Sequence, residues 1–236
     1  MKTVLALETS SAVLGVALGT GEGKVKELCS RGPLQHSENL IPLIDRLLQR
    51  EKLRLDDVDA FAIDRGPGSF TGLRIGFSLL KGFMALRKRP CYGALSLDIM
   101  TSKIELPEGA RLGVVVDARR EAVYSRFYRF SQGKGVAEGE LELLSLSGLR
   151  ARVREGTHLV GDVLIRYRRE LAETFGNRIH FLPEAASFPS AATLVKWFQA
   201  KDERLSLLKG PQDFVPLYFR SSEAEEKRKA FLSHGH

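Results

Sequence analysis

Apolar runs and helical patterns alternate through the first hundred residues. Three short apolar segments at the start have the spacing of strands joined by hairpin turns, and longer segments with a 3.6-residue period follow them. The predicted elements, in order, are strands at 2–9, 13–18 and 25–29, a helix at 37–51, a strand at 58–63, a helix at 70–87, a strand at 90–95 and a helix at 97–104. Strands that alternate with helices indicate an α/β domain.

The same opening pattern recurs in the second half of the chain. The first strand ends at Glu8 before a hairpin turn, and a later apolar strand ends at Asp117 before another, 109 residues further on. The elements that complete this half are strands at 112–116, 122–130, 141–146, 157–160 and 179–182, and helices at 163–175, 190–200 and 221–232. We therefore predict two related α/β domains, residues 1–106 and 107–236, with a C-terminal helix in the second.

Two helices of the first domain carry more apolar surface than one sheet requires. The apolar side chains of helix 37–51 spread over about 160° of arc, and those of helix 70–87 form two separate faces. Either these helices are enclosed within one large domain, or a second protein covers part of each. In the second case the partner interface comprises Leu40, Leu43, Ile44, Leu47, Gly72, Ile75, Gly76, Leu79 and Phe83.

A glycine-rich segment, residues 64–76, connects strand 58–63 to helix 70–87. Free N–H groups at a helix start attract anions, which favours a phosphate contact. The spacing G-x-G-x-x-x-G, however, matches neither the dinucleotide fingerprint nor a P-loop, so a tight structural turn is the alternative. A degenerate nucleotide or phosphate site would comprise Glu8, Ser10, Gly68, Ser69 and Asp117.

Composition narrows the class of protein. The 236 residues are 43% hydrophobic and 28% charged, as in ordinary globular proteins, and no apolar run is long enough for a membrane span. Without a charged-then-apolar leader at the start, we expect a cytoplasmic protein in which Cys29 and Cys91 are reduced. The net charge of +7 comes with an excess of arginine in the second half. This excess favours a polyanion such as RNA, or simply a solvated surface.

Groups that carry catalysis are not evident in the sequence. The five histidines form no H-x-x-x-H or H-E-x-x-H pair, and we predict neither metal ligands nor catalytic residues. Neither hairpin turn, residues 9–12 or 118–121, contains the glycine that would let a phosphate approach the backbone. Intrinsic kinase or ATPase activity is therefore expected to be weak or absent.

Five segments together resemble the TsaB (YeaZ) family. They are Leu-Ala-Leu-Glu-Thr-Ser at 5–10, His-Ser-Glu-Asn-Leu at 36–40, Gly-Pro-Gly-Ser-Phe-Thr-Gly-Leu-Arg at 66–74, Val-Asp-Ala-Arg-Arg at 116–120 and Pro-Leu-Tyr-Phe-Arg at 216–220. The resemblance implies the duplicated α/β fold of the actin-like ATPase, sugar-kinase and Hsp70 type, which is ribonuclease H-like, with a degenerate nucleotide site. The family usually has Asp where Glu8 stands.

The resemblance also implies a function. Such proteins are non-catalytic scaffold subunits required for threonylcarbamoyl transfer to adenosine 37 of tRNA, and they act by binding and stabilising TsaD. They form a heterodimer with TsaD through helices of the first domain and a homodimer alone through the same face. TsaE docks on the assembled pair, tRNA binds through the complex, and ATP and a metal are used by the complex, with no cofactor in this subunit. The alternative is an active ATPase or phosphotransferase that uses Glu8, Asp117 and the turn at 66–72; a peptidase is disfavoured.

Overall fold

The computed structural model describes residues 2–21, 23–32, 36–210 and 212–217, and its elements follow the predicted alternation. The strands are β1 Val4–Glu8, β2 Val13–Gly19, β3 Val25–Arg31, β4 Ala60–Asp64, β5 Cys91–Ala94, β6 Arg111–Asp117, β7 Ala122–Ser131, β8 Lys134–Ala137, β9 Glu142–Ser145, β10 Thr157–Val160, β11 Ile179–Phe181 and β12 Ser206–Leu207. The helices are α1 His36–Arg50, α2 Phe70–Leu86, α3 Ser96–Thr101, α4 Leu146–Arg152, α5 Val163–Phe175 and α6 Ala191–Ala200. The predicted helix at 221–232 lies outside the described residues.

The first sheet has the strand order β12-β5-β4-β1-β2-β3. The predicted meander of β1, β2 and β3 is antiparallel, whereas β4 pairs in parallel with both β1 and β5. Helices α1 and α2 cover one face of this sheet, and α3 and α6 cover the other. Every residue of β1 is consequently buried, which explains its continuous apolar run up to Glu8.

The second sheet repeats the central part of the first. Its order is β11-β10-β6-β7-β8, with β9 paired to β7, and the β6–β7 hairpin corresponds to the β1–β2 hairpin. Helices α4 and α5 pack on one face, and α3 packs on the other. The predicted duplicated α/β architecture is therefore confirmed, with one acid at the end of each hairpin's first strand.

The chain returns to the first sheet near its end, which the predicted division after residue 106 did not anticipate. Helix α6 packs on the first sheet, and β12 pairs with β5 at that sheet's edge. The Glu27 carboxylate on β3 accepts hydrogen bonds from the Ser190 hydroxyl (2.8 Å) and the Ala192 N–H (3.0 Å), so it holds the start of α6. Residues 191–207 thus belong with the first sheet rather than with a domain at 107–236.

Helix α3 joins the two sheets through a largely buried polar cluster. The Asp98 carboxylate accepts two hydrogen bonds from the Arg126 guanidinium, at 2.9 and 3.1 Å, and one from the Tyr128 hydroxyl. Because Asp98 is on α3 and the other two residues are on β7, this cluster connects the two units. Within the described residues, none of the helices is long and apolar enough to cross a bilayer.

Candidate functional site

The first hairpin turn packs directly against the start of α2. Gly68, Gly72 and Gly76 are spaced four residues apart, so they line one side of the helix and its N-terminal turn. A Cβ atom at Gly68 would overlap the Ser10 carbonyl oxygen, and one at Gly72 would overlap the Thr9 carbonyl oxygen. At Gly76 it would lie 2.6 Å from the Thr9 hydroxyl oxygen. Because these three residues are glycines, the turn between β1 and β2 can pack directly against α2.

Two buried carboxyl groups, Glu8 and Asp64, meet beneath this contact. They end the neighbouring parallel strands β1 and β4, and both are fully inaccessible to solvent. The Ser10 hydroxyl lies 2.7 Å from Glu8 Oε1 and 2.9 Å from Asp64 Oδ2, so it joins the two acids. Asp64 Oδ1 also accepts hydrogen bonds from the Ser96 hydroxyl (2.6 Å) and the Gly66 N–H (2.7 Å). We call Glu8 and Asp64 the acid pair.

Burial dominates the electrostatics of the acid pair. Loss of solvation, and then the neighbouring Asp64 charge, raise the pKa of Glu8 well above its usual range. Loss of solvation also raises the pKa of Asp64, although hydrogen bonds from Glu8, Ser96, Gly66 and Ser10 oppose that rise. Glu8 is therefore the weaker acid of the two, and Asp64 is the carboxylate that its hydrogen bonds favour in the ionised form.

The glycine-rich turn does not present an open anion site. The Ser69 N–H, which could have bound a phosphate oxygen, donates instead to the Ser10 carbonyl at 2.6 Å. The Ser69 hydroxyl accepts from the Gly72 N–H at 3.2 Å and so caps α2. Of the two alternatives for this segment, the structure favours the tight structural turn. Glu8, Ser10, Gly68 and Ser69 are brought together as predicted, but around the protein's own backbone.

Asp117 lies in a separate arrangement at the second hairpin. Its carboxylate accepts from the Arg119 N–H at 2.7 Å, and the guanidinium groups of Arg119 and Arg166 lie 3.7 Å from it. The Asp117 N–H donates to Asp162 at 2.8 Å. Burial raises the pKa of Asp162 to about 6. Among the described residues, no hydrogen bond or ion pair connects Asp117, at the end of β6 in the second sheet, with Glu8, at the end of β1 in the first.

The predicted partner interface needs correction at five of its nine positions. Leu40, Ile44 and Leu47 are at most 4% exposed and belong to the core over the first sheet. Gly72 and Gly76 face Thr9, not a second helix. The physical reason is that α1 and α2 lie side by side on the same sheet, so each helix buries one flank against the sheet and another against its neighbour. Leu43, Ile75, Leu79 and Phe83 are only partly buried.

An apolar groove nevertheless remains open between α1 and α2. It has a volume of about 490 Å³. Its lining residues are Ser37, Leu40, Ile41, Phe70, Thr71, Arg74, Ile75, Ser78 and Leu79. Ile41 is 58% exposed, and Leu86 at the end of α2 is 79% exposed.

The predicted partner interface omitted Ile41 and Leu86, although each lies in a helical apolar arc that the sequence pattern had identified. Their exposure depends on how the helices are rotated, which the pattern does not specify. Leu86 does not line this groove but a second, smaller cavity near the C-terminal end of α2, beside Phe83. We call this groove with Ile41, Ile75 and Leu79, together with Leu86 at the end of α2, the α1–α2 surface.

Comparison with known proteins gives the family. A family model described as "TsaD: tRNA N6-adenosine threonylcarbamoyltransferase" matches residues 22–228. The Escherichia coli K12 protein "tRNA threonylcarbamoyladenosine biosynthesis protein TsaB" is 33% identical over 141 residues, 58% of this chain and 59% of that protein. The Bacillus subtilis 168 protein of the same description is 27% identical over 229 residues, 95% of this chain and 97% of that one. The chain belongs to the TsaD family, within its TsaB (YeaZ) group.

Solved structures of the TsaB (YeaZ) group share the fold. The crystal structure described as YeaZ from Pseudomonas aeruginosa superposes with a TM-score of 0.73 at 26% identity, covering 93% of this chain and all of that one. Another, of a protein described as similar to peptidase YeaZ from Pseudomonas aeruginosa, gives 0.74 at 29% identity with the same coverage. The alignments span 59% and 52% of the Escherichia coli and Haemophilus influenzae TsaB proteins, little more than half of these curated relatives.

Many arginines in the second half of the chain form contacts with other residues of the chain. Arg126 binds Asp98, Arg129 binds Glu138, and Arg152 binds Glu142. Arg169 pairs with Glu173 on α5, and Arg150 donates to Thr174. Of the two alternatives for the arginine excess, these pairs favour a solvated surface over a dedicated polyanion site. In the described part of the chain, no three His, Cys, Asp or Glu side chains are placed to hold a metal ion.

Proposed function

We propose that this chain is a non-catalytic subunit in the biosynthesis of threonylcarbamoyladenosine in tRNA, and that it binds and stabilises a TsaD protein. The proposal starts from the descriptions of its relatives, since the Escherichia coli and Bacillus subtilis proteins are both described as TsaB of this pathway. Transferases of the same modification are also among its relatives, including the Lawsonia intracellularis tRNA N6-adenosine threonylcarbamoyltransferase at 32% identity over 133 residues. This chain and a TsaD transferase are thus homologous proteins, and two homologous subunits of this kind are suited to form a heterodimer.

The observation that carries the proposal is the α1–α2 surface. Ile41 and Leu86 leave most of their side-chain area in water, and a groove of about 490 Å³ lies beside Ile41. Covering apolar surface stabilises an association by about 25 cal/mol per Å² before the costs of binding are subtracted. A specific interface of roughly 800 Å² per partner would need this surface and its polar rim together. Two helices from a partner would complete a four-helix layer over α1 and α2.

The absence of a catalytic role is inferred from the two hairpin turns. In the first, the Ser10 carbonyl accepts the Ser69 N–H that a phosphate would need, and the acid pair is closed to solvent. In the second, Asp117 is engaged by Arg119 and Arg166. ATP, the metal and tRNA would then be handled by TsaD and TsaE in the assembled complex, and a homodimer through the α1–α2 surface would form when TsaD is absent.

Substitution of Ile41 tests the proposed partner face. Ile41→Glu places a charge in the α1–α2 surface at a position already 58% exposed, so the fold should be retained. Ile165→Glu on α5 is the matched control, since Ile165 is 54% exposed and lies on the second unit. We expect Ile41→Glu to weaken TsaD binding in calorimetry by at least about tenfold, which corresponds to 1.4 kcal/mol, and Ile165→Glu to leave it unchanged. Equal affinities for both variants would contradict the proposed face.

A second candidate, an active ATPase or phosphotransferase, is kept because the matching family model describes a transferase. Calorimetry of the isolated chain with Mg-ATP, followed by a phosphate-release assay, separates the two functions. We expect neither tight binding nor turnover. Turnover that depends on Asp117 would favour the second candidate, because the Asp117 side chain is 12% exposed whereas the acid pair is fully buried.

A further inference from the structure

Within the described part of the chain, the acid pair has no charged partner of opposite sign. Among the salt bridges that the described residues form, none includes Glu8 or Asp64. Their hydrogen-bond donors are neutral: the Ser10 hydroxyl and N–H, the Ser96 hydroxyl and the Gly66 N–H. Two ionised carboxylates in contact inside a protein repel each other strongly and pay the full cost of desolvation, so one of them is expected to be neutral.

The hydrogen-bond geometry independently indicates that one of the two acids is protonated. The single Ser10 hydroxyl proton cannot serve both of its short contacts, 2.7 Å to Glu8 and 2.9 Å to Asp64, if both acids are ionised. Asp64 receives three donors, whereas the second Glu8 oxygen, Oε2, is buried and has no donor. A proton on Glu8 Oε1 resolves this, because the Glu8 O–H can then donate to Ser10 Oγ while the Ser10 hydroxyl donates to Asp64 Oδ2. The Oε2 atom is then the carbonyl oxygen of a neutral carboxyl group, which tolerates the missing donor better than an ionised oxygen does.

We infer that the acid pair holds one proton at neutral pH, on Glu8, and that this proton ties the β1–β2 turn to the glycine-rich turn that begins α2. The Glu8 O–H donates to the Ser10 hydroxyl, which donates to Asp64, and Asp64 also accepts hydrogen bonds from the Gly66 N–H and the Ser96 hydroxyl. The inference does not depend on the proposed function, because it concerns how the start of α2 is held against the β1–β2 turn. It says nothing about what α2 binds. It assigns the buried residues of the TsaB-like motifs a role as a proton site.

Among the residues that the structure describes, no other ionisable group contacts the acid pair. The interactions that bear on Glu8 come from Asp64 and Ser10, and those that bear on Asp64 come from Glu8, Ser96, Gly66 and Ser10. The nearby His36 is directed at the backbone, with its Nε2 atom 2.9 Å from the Ser11 carbonyl oxygen. A proton taken up on folding makes stability fall as pH rises, because the unfolded Glu8 is already ionised above about pH 4.3.

Chemical denaturation at a series of pH values tests the inference with the Glu8→Gln variant, whose neutral amide copies the protonated acid. Between pH 5 and 7 we expect the folding equilibrium constant of the wild type to fall, relative to that of the variant, about tenfold per pH unit. Glu38→Gln, an exposed position on α1, is the matched control and should follow the wild type. Parallel curves for the wild type and Glu8→Gln would overturn the inference.

Two further measurements keep the test decisive. The infrared carbonyl band of a protonated carboxylic acid should be present in the wild type at pH 7 and absent in Glu8→Gln. If that variant does not fold, a missing band in the wild type alone overturns the inference.

Repeating the denaturation with a chelator and with Mg²⁺ shows whether a proton or a bound cation balances the charge of the acid pair. If Mg²⁺ raises the midpoint denaturant concentration of the wild type but not that of Glu8→Gln, a divalent ion balances the charge of the acid pair. That result also contradicts the inference.

Discussion

The two hairpin turns have the same place in the duplicated fold but opposite surroundings. The first turn, which follows Glu8, is covered by α2, and its acid is sealed with Asp64. The second turn, which follows Asp117, projects Arg119 and Arg120 into solvent, and its acid is held by arginines. The first turn is thus a packing element and the second is a surface element.

This difference shows how a common hairpin is adapted by what lies next to it. Gly68, Gly72 and Gly76, on the side of α2 and its N-terminal loop that faces the first hairpin, allow the hairpin backbone to contact the helix. The second turn instead meets the first residue of α4, where the Leu146 N–H donates to the Glu121 carbonyl at 3.2 Å. Its residues Arg119, Arg120 and Glu121 all have positive φ, at 65°, 50° and 58°. That conformation is costly for residues other than glycine. Tight packing in one turn and backbone strain in the other are therefore separately testable.

The largest effect is expected where the first turn meets α2. In Gly72→Ala the new Cβ atom would overlap the Thr9 carbonyl oxygen, so the turn and the helix must separate. We expect the free energy of unfolding to fall by about 3 kcal/mol, the upper end for an overpacked site. Urea denaturation measures this value.

Gly82→Ala on the same helix is the control for that substitution. Apart from its chain neighbours and the backbone of its own helix, no described atom lies within 4 Å of the position where its Cβ would be placed. Alanine is the better helix former, so this variant should gain about 0.5–1 kcal/mol. Similar stabilities for Gly72→Ala and the wild type would show that the turn does not depend on the glycine contact.

Much of this fold is accessible from the sequence, because burial on both faces gives β1 and β4 their continuous apolar runs and because α1 and α2 have clear helical periods. The return of residues 191–207 to the first sheet was not accessible. Its decisive contact, Glu27 to Ser190, joins residues 163 positions apart, and nothing in the local pattern of either residue indicates it.

Most residues of the site could be predicted from the sequence, but their arrangement could not. Glu8, Ser10, Gly68 and Ser69 were identified from the hairpin and the glycine-rich turn, and they do lie together. Asp64 was missed as a site residue, although it ends a buried strand next to the turn and a buried acid there is a detectable signal. The outward face of α1 and α2 was not predictable, because periodicity gives the width of an apolar arc and not which part a neighbouring helix covers.

The two hairpins should also differ in the pH range in which they affect stability. Burial raises the pKa of Asp162, behind the second turn, to about 6, whereas an unfolded Asp has a pKa near 3.9. Its stabilising contribution is therefore complete below about pH 4 and is lost as pH rises to about 6. In Asp162→Asn the amide oxygen still accepts from the Asp117 N–H, so relative to the wild type this variant should gain about 2 kcal/mol between pH 4 and 7. A constant difference over that range, measured by urea denaturation, would contradict the prediction.

The smallest effect is expected from relieving strain in the second turn. Arg119→Gly and Arg119→Ala both remove the exposed guanidinium, whose ion pair with Asp117 spans 3.7 Å and contributes little. Only glycine adopts the φ of 65° without steric cost, so Arg119→Gly should be about 1 kcal/mol more stable than Arg119→Ala in urea denaturation. At Ser11 in the first turn, where φ is not positive, the same pair of substitutions should give no advantage to glycine. An equal gain in both turns would mean that strain does not distinguish them, and the contrast between the two hairpins would then rest on packing alone.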